Sequence, residues 1–187
     1  PGHGAMSRYR HQISFESHDP TRLLPQECEL VRREAEDARH LVLRILSFVI
    51  AYRDGLEPNG RPACERIPYM ASLGRWSVED EPLTWMECLP VDWKTMKKIS
   101  TKASSAEILL ATDSLEEAQD AMLRLQRDYR PGRFKICCFD IEVVREMCGL
   151  LAKKNHLAFL PDPIDPTACQ LDFNQCWFET SWQEFTY

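Results

Sequence analysis

Glycine is scarce in this chain, with seven residues in 187. Loops that wrap phosphates in successive backbone amides are built on glycine, so nucleotide cradles of that kind have little material here. There is no Gly-x-Ser-x-Gly, no His-Glu-x-x-His and no Cys-x-x-Cys, which removes the nucleophile elbow, the zincin helix and the dithiol redox pair. Nor is there an uninterrupted apolar run of about 18 residues, the minimum for a membrane-spanning helix. The longest candidate, LVLRILSFVIA (Leu41 to Ala51), is broken by Arg44 and Ser47. Internal repeats and low-complexity tracts are absent as well.

Positive charge is in deficit, the net charge being −6. Broad electrostatic capture of nucleic acid draws its affinity from basic surface and is not expected. Two basic clusters stand against that balance, DWKTMKKISTK (Asp92 to Lys102) and RLQRDYRPGRFK (Arg124 to Lys135). Lys94, Lys97, Lys98, Arg130 and Arg133 are the residues that would touch a nucleic acid, and the local reading is a solvated helix face or turn.

Eight cysteines are present, but they fall mostly inside apolar patterns rather than at the spacings of a disulfide framework. Free cysteine packs as a small hydrophobe. A reducing setting, cytoplasmic or nuclear, is therefore expected. Zinc would have to draw on Cys148, His156, Cys169 and Cys176, none of which forms a two-to-four-residue knuckle. His40, inside a helical pattern, and His156, at a strand start, read as structural histidines. No metal and no cofactor are expected.

The opening PGHGAM has the look of an expression-tag remnant, so residues 1–6 are set aside. Residues 7–187 are expected to form a single globular domain that is a fragment of a larger protein. Ser7 to Leu23 reads as an extended arm or an ordered lead-in. Residues 24–56 read as one long helix that enters at Pro25 and stops at Gly55, with an apolar second half on most sides. Residues 57–103 are rich in proline and turns, with Trp76, Trp85 and Trp93 pinning them to a core.

From residue 104 to 187 the pattern is regular. Ala106 to Ala111, Phe134 to Phe139 and Leu157 to Leu160 read as strands. Leu115 to Tyr129 and Ile141 to Asn155 read as helices, opened by a Ser114–Glu117 capping box and an Asp140 N-cap. Strands alternating with helices over short connections predict neighbouring parallel strands. The fold class is α/β, with α+β as the alternative. The sheet is expected to be mostly parallel and finished by an aromatic-rich edge strand.

Acidic residues at the ends of such strands are where α/β folds place ligand chemistry. Asp113, Asp140 and Glu142 are the catalytic candidates, for a divalent-metal-dependent nuclease-like or phosphotransfer domain. The run CCFDIE resembles the first acidic motif of the DnaQ-like exonucleases over four residues. Such domains carry further acidic motifs, for which the chain beyond Ile141 leaves too little length. Local structure accounts for the same residues, since Asp140 caps a helix and Glu142 sits in its first turn. With no catalytic constellation, the expected function is a non-catalytic protein–protein interaction or scaffold domain of an intracellular assembly. Its partner is another protein chain or a second copy, docked on Phe48, Val49, Trp177, Phe178 and Trp182. A degenerate enzyme fold retained for binding is the further alternative, and no membrane is involved.

Overall fold

The computed structural model describes residues 10–21 and 23–187, and the expected tag remnant, 1–6, lies outside them. Nine strands and four helices are present among the described residues: β1 (Arg10–Ser17), β2 (Glu27–Val31), α1 (Ala38–Ala51), β3 (Leu73–Trp76), β4 (Pro82–Cys88), α2 (Trp93–Lys102), β5 (Glu107–Thr112), α3 (Leu115–Asp128), β6 (Phe134–Phe139), α4 (Ile141–Leu150), β7 (Lys154–Pro161), β8 (Ala168–Phe173) and β9 (Cys176–Thr186). They divide into two compact units. The first holds the chain up to Tyr52 together with Asp140–Trp182, and the second holds Arg53–Phe139 with Gln183–Tyr187. None of the described helices is long and apolar enough to cross a membrane.

In the first unit the strand order is β2-β1-β7-β8-β9. The stretch expected to be an arm is strand β1. His11, Ile13 and Phe15 alternate inward while Gln12 and Glu16 face solvent, the period of a half-buried strand. β1 runs parallel to β7, with Phe15 opposite Leu157, and antiparallel to β2, with Ile13 opposite Cys28. The single long helix expected over 24–56 is likewise corrected. Its charged first half, ECELV, alternates and pairs as β2. The helix itself begins at Ala38, where the Asp37 carboxylate accepts the His40 backbone N–H at 2.9 Å.

α1 is buried from Leu41 through Val49. Phe48 stacks on Phe15 of β1, centroids 5.5 Å apart, and α1 also packs on α4. Arg44 is fully buried among these apolar residues. Its Nη1 donates to both carboxylate oxygens of Glu36, at 2.9 and 3.1 Å, and to the Val31 carbonyl at 3.1 Å. The charge is thereby paired inside the fold, as a buried guanidinium must be.

The second unit runs β6-β5-β4-β3, with the end of β9 beside β6, where Phe134 and Tyr187 exchange both backbone hydrogen bonds. β4, β5 and β6 are parallel, and α2 and α3 connect them. Their shared core sets Trp85, Ile108, Leu110 and Ile136 against Met96, Ile99, Ala118 and Leu125. Within the segment expected to be loop-rich, β3, β4 and α2 are regular elements. α2 escapes notice because lysine and threonine fill its outer side, leaving Met96, Ile99 and Ser100 as the buried stripe.

Antiparallel pairs outnumber parallel ones, so the sheet arrangement is mixed α/β and not mostly parallel. β5 and β6 are parallel neighbours as expected. β7 instead lies between β1 and β8, because the chain returns to the first unit from Asp140, ahead of α4. β8 and β9 are antiparallel, but β9 is not an edge strand, since it pairs with β8 and its end pairs with β6.

Candidate functional site

Two of the three acidic candidates are held by local structure. Asp140 Oδ1 accepts the backbone N–H groups of Glu142 and Val143 at 2.8 and 3.4 Å, which is an N-cap. Glu142 lies exposed in the first turn, 3.1 Å from Arg145. Asp113 follows β5 in the second unit, whereas Asp140 and Glu142 belong to the first. Among the described residues no group of three or more His, Cys, Asp or Glu is placed to hold a metal ion.

Around Asp113 the carboxyl ends of β4, β5 and β6 gather polar groups on the face that α2 and α3 cover. Glu87 is the member that sequence reasoning missed. Its two oxygens accept the indole N–H of buried Trp85 at 3.0 Å and the Ser72 hydroxyl at 3.1 Å. Two residues beyond Leu110, which stands opposite Glu87, the buried Thr112 hydroxyl donates to Glu117 at 2.6 Å. Ser114 accepts the Glu117 backbone N–H at 3.2 Å, so the expected cap forms, while the Glu117 side chain turns to Thr112 rather than back to Ser114. Burial, then the charges of Asp113 and Glu117, push the nearby Cys138 thiol above its ordinary range. The signal for Glu87 was a lone acid inside an apolar strand, LTWMEC. It reads as significant only once Trp85 is seen two residues away on the same face.

The aromatic candidates separate by strand period. Asn174 and Gln175 both take positive φ, 51° and 70°, in a two-residue turn that pairs Phe173 with Cys176. That geometry suits the right-handed twist of a hairpin and fixes its register. Phe178 and Trp182 therefore point inward and are buried, while Trp177 points outward and is 56% exposed. Phe48 and Val49 are each only 2% exposed and belong to the core of the first unit. Of the five docking candidates only Trp177 offers a surface.

Trp177 stands opposite Asp172, which stands opposite Ala158. The neighbouring row on this outer face is Glu179, Gln170 and Leu160, with a Gln170–Glu179 hydrogen bond of 3.1 Å. An open depression of about 440 Å³ starts there, lined by Leu160, Gln170 and Glu179 together with Asp140, Asp162 and Pro163. The surface is polar along the central strand β8, at Asp172 and Gln170, with Trp177, Ala158 and Leu160 on the flanking strands and Asp140 and Asp162 at its margin. Asp162 is held below its ordinary value by the backbone N–H groups of Asp165 and Ile164, which order the β7–β8 loop at the margin.

The chain shares its fold with YaeQ proteins. It is similar to the YaeQ protein of Xanthomonas axonopodis pv. citri, with a TM-score of 0.72 and 13% identity over 95% of this chain and 98% of that one. It is also similar to the YaeQ protein of Pseudomonas syringae, with a TM-score of 0.74 and 15% identity over 96% and 95% of the two chains. No family model matches the sequence, and no curated protein matches it. At such identities the likeness is one of fold alone.

The basic candidates lie in the second unit. Lys94, Lys97 and Lys98 sit on α2, and Arg130 follows α3. Arg133 is committed to carbonyls at the end of α2 and just ahead of β5, donating to Ser100, Ala103 and Ala106 at 2.8, 2.5 and 3.0 Å.

Proposed function

We propose that this chain is a non-catalytic protein–protein interaction domain that docks a partner on the outer face of β7, β8 and β9. The observation that carries the reading is Trp177, more than half exposed on β9 beside β8, on a sheet whose other side is packed core. A large exposed aromatic ringed by polar groups is the usual anatomy of a binding hot spot. Asp172 and Glu179 beside it favour a partner segment that brings a basic residue next to an apolar one. Metal-dependent phosphotransfer through Asp113, Asp140 and Glu142 has less behind it, because helix capping and an ion pair already occupy two of the three.

The test is Trp177→Asp. The side chain is outside the core, so the melting temperature is expected to stay within about 2 °C of wild type, as for other surface substitutions. Proximity labelling in cells, with Leu123→Asp as an exposed control in the second unit, is expected to lose a discrete set of partners in the Trp177 variant only. An unchanged set in both variants refutes the reading.

A further inference from the structure

Charge is reversed in one part of the second unit. α2 carries Lys94, Lys97, Lys98 and Lys102 and no acidic residue, and the stretch from Ala121 to Lys135 carries five cations against the single acid Asp128. Packing brings the start of α2 against the end of α3. The Lys97 ammonium donates to the Asp128 carbonyl at 2.6 Å, and the Tyr129 hydroxyl donates to the Trp93 carbonyl at 3.3 Å. The rings of Trp93 and Tyr129 meet edge-on, centroids 6.0 Å apart. Arg124 lies over Trp93 at 5.8 Å, and Lys97 over Tyr129 at 4.2 Å.

Two cations are thus held over half-buried rings, which reduces the side-chain freedom they lose on meeting a ligand. Lys94 and Lys98 stand one turn apart on the exposed side of α2. Among the described residues neither their side chains nor that of Arg130 makes a hydrogen bond or ion pair, so their charges are unspent.

We propose that this α2–α3 surface binds single-stranded nucleic acid through its phosphates. Charge complementarity selects a polyanion, and the rings select among polyanions. Trp93 and Tyr129 are each only half-buried, and the ring surface that Arg124 and Lys97 leave uncovered is open to unstacked bases, which a duplex keeps inside its own stack. An acidic peptide or an anionic membrane uses the cations and leaves the rings idle. With Lys94, Lys97, Lys98 and Arg130 each neutralising a phosphate, the affinity for a single strand falls with a log–log salt slope of about −3, or roughly fiftyfold between 50 and 200 mM salt.

The test is fluorescence anisotropy of the full chain with a labelled thymidine oligonucleotide, comparing Lys94→Glu/Lys98→Glu with Lys153→Glu/Lys154→Glu. Both variants change the net charge by the same amount, and all four lysines are exposed, so circular dichroism is expected to show both folded. The proposal expects a loss of about tenfold or more in the α2 variant and less than about twofold in the other, with the stated salt slope. It is overturned by no binding at about 50 mM salt, or by equal losses in the two variants. Tighter binding to the matching duplex, to phosphatidylserine vesicles or to polyglutamate than to the single strand also overturns it.

Discussion

Glu36→Ala isolates the contribution of the buried ion pair at the head of α1. Arg44 has no exposed side-chain surface and Glu36 very little, and their shortest contact is 2.9 Å. Glu36 also accepts the Arg33 backbone N–H at 3.0 Å, so its carboxylate ties the turn between β2 and α1 to the helix. Removing the carboxylate leaves a desolvated guanidinium that still donates to the Val31 carbonyl. Breaking one side of such a pair costs about 3–5 kcal/mol. At roughly 2–4 °C per kcal/mol for a chain of this size, the melting temperature is expected to fall by about 10 °C. The companion variant Glu36→Leu/Arg44→Met replaces both charges by apolar side chains of similar volume. It is expected to lie within about 1–2 kcal/mol of wild type, since an apolar pair often matches a buried ionic one. Urea titrations followed by circular dichroism read both values. If Glu36→Ala proves as stable as wild type, Arg44 is not desolvated as described and the argument fails.

Other outcomes follow from single contacts. Asn155 is buried and bonds the Ala152 N–H and carbonyl, the Gln12 carbonyl and the Asn174 amide; Asn155→Ala is expected to cost about 2–3 kcal/mol by denaturant titration. Gln175 holds a left-handed backbone at the β8–β9 turn, so Gln175→Gly is expected to raise stability by about 1 kcal/mol in the same assay. The Asp37 carboxyl is held below its ordinary 3.8, chiefly by the His40 backbone N–H. Its stabilising effect is full above that value and is lost as pH falls through the lowered one, so the cost of Asp37→Ala, about 1 kcal/mol near neutrality, is expected to vanish in acid. Cys64 is exposed, whereas burial pushes Cys137 and Cys169 up to about 12. Native thiol titration is expected to modify Cys64 first and to leave those two unmodified until denaturant is added.

Much of the second half of the chain was legible, because its elements state themselves locally. FKICCF is bounded by Gly132 and Asp140 and forms β6 over that span, and Ser114 and Asp140 each mark a helix start that the structure keeps. The first unit was hidden for an equally physical reason. β1 and β2 expose one face each, so polar residues interrupt their apolar ones, and ECELV carries acids that suit a helix as well as a strand. Parallel pairing between β1 and β7 joins residues more than 140 positions apart, and no local pattern records it. Of the candidate site, period-two alternation along CWFETSW could have separated Trp177 from Phe178 and Trp182 once the segment was taken as a strand throughout. Glu87 showed in the sequence only as a lone acid in LTWMEC, and its contact with Ser72 joins residues that no local spacing relates.

Strand β9 sets an order on synthesis. Cys176 to Ser181 completes one sheet against β8, and the residues just beyond Trp182 complete the other against β6. The first unit is also split in sequence, its two parts separated by the whole span from Arg53 to Phe139. Neither unit can reach its full set of hydrogen bonds while the ribosome still holds β9, so domain-by-domain folding from the N-terminus is closed to this chain. Until that last strand emerges, β6 and β8 each present an open edge, and during that interval the nascent protein is most exposed to mispairing and most in need of a chaperone.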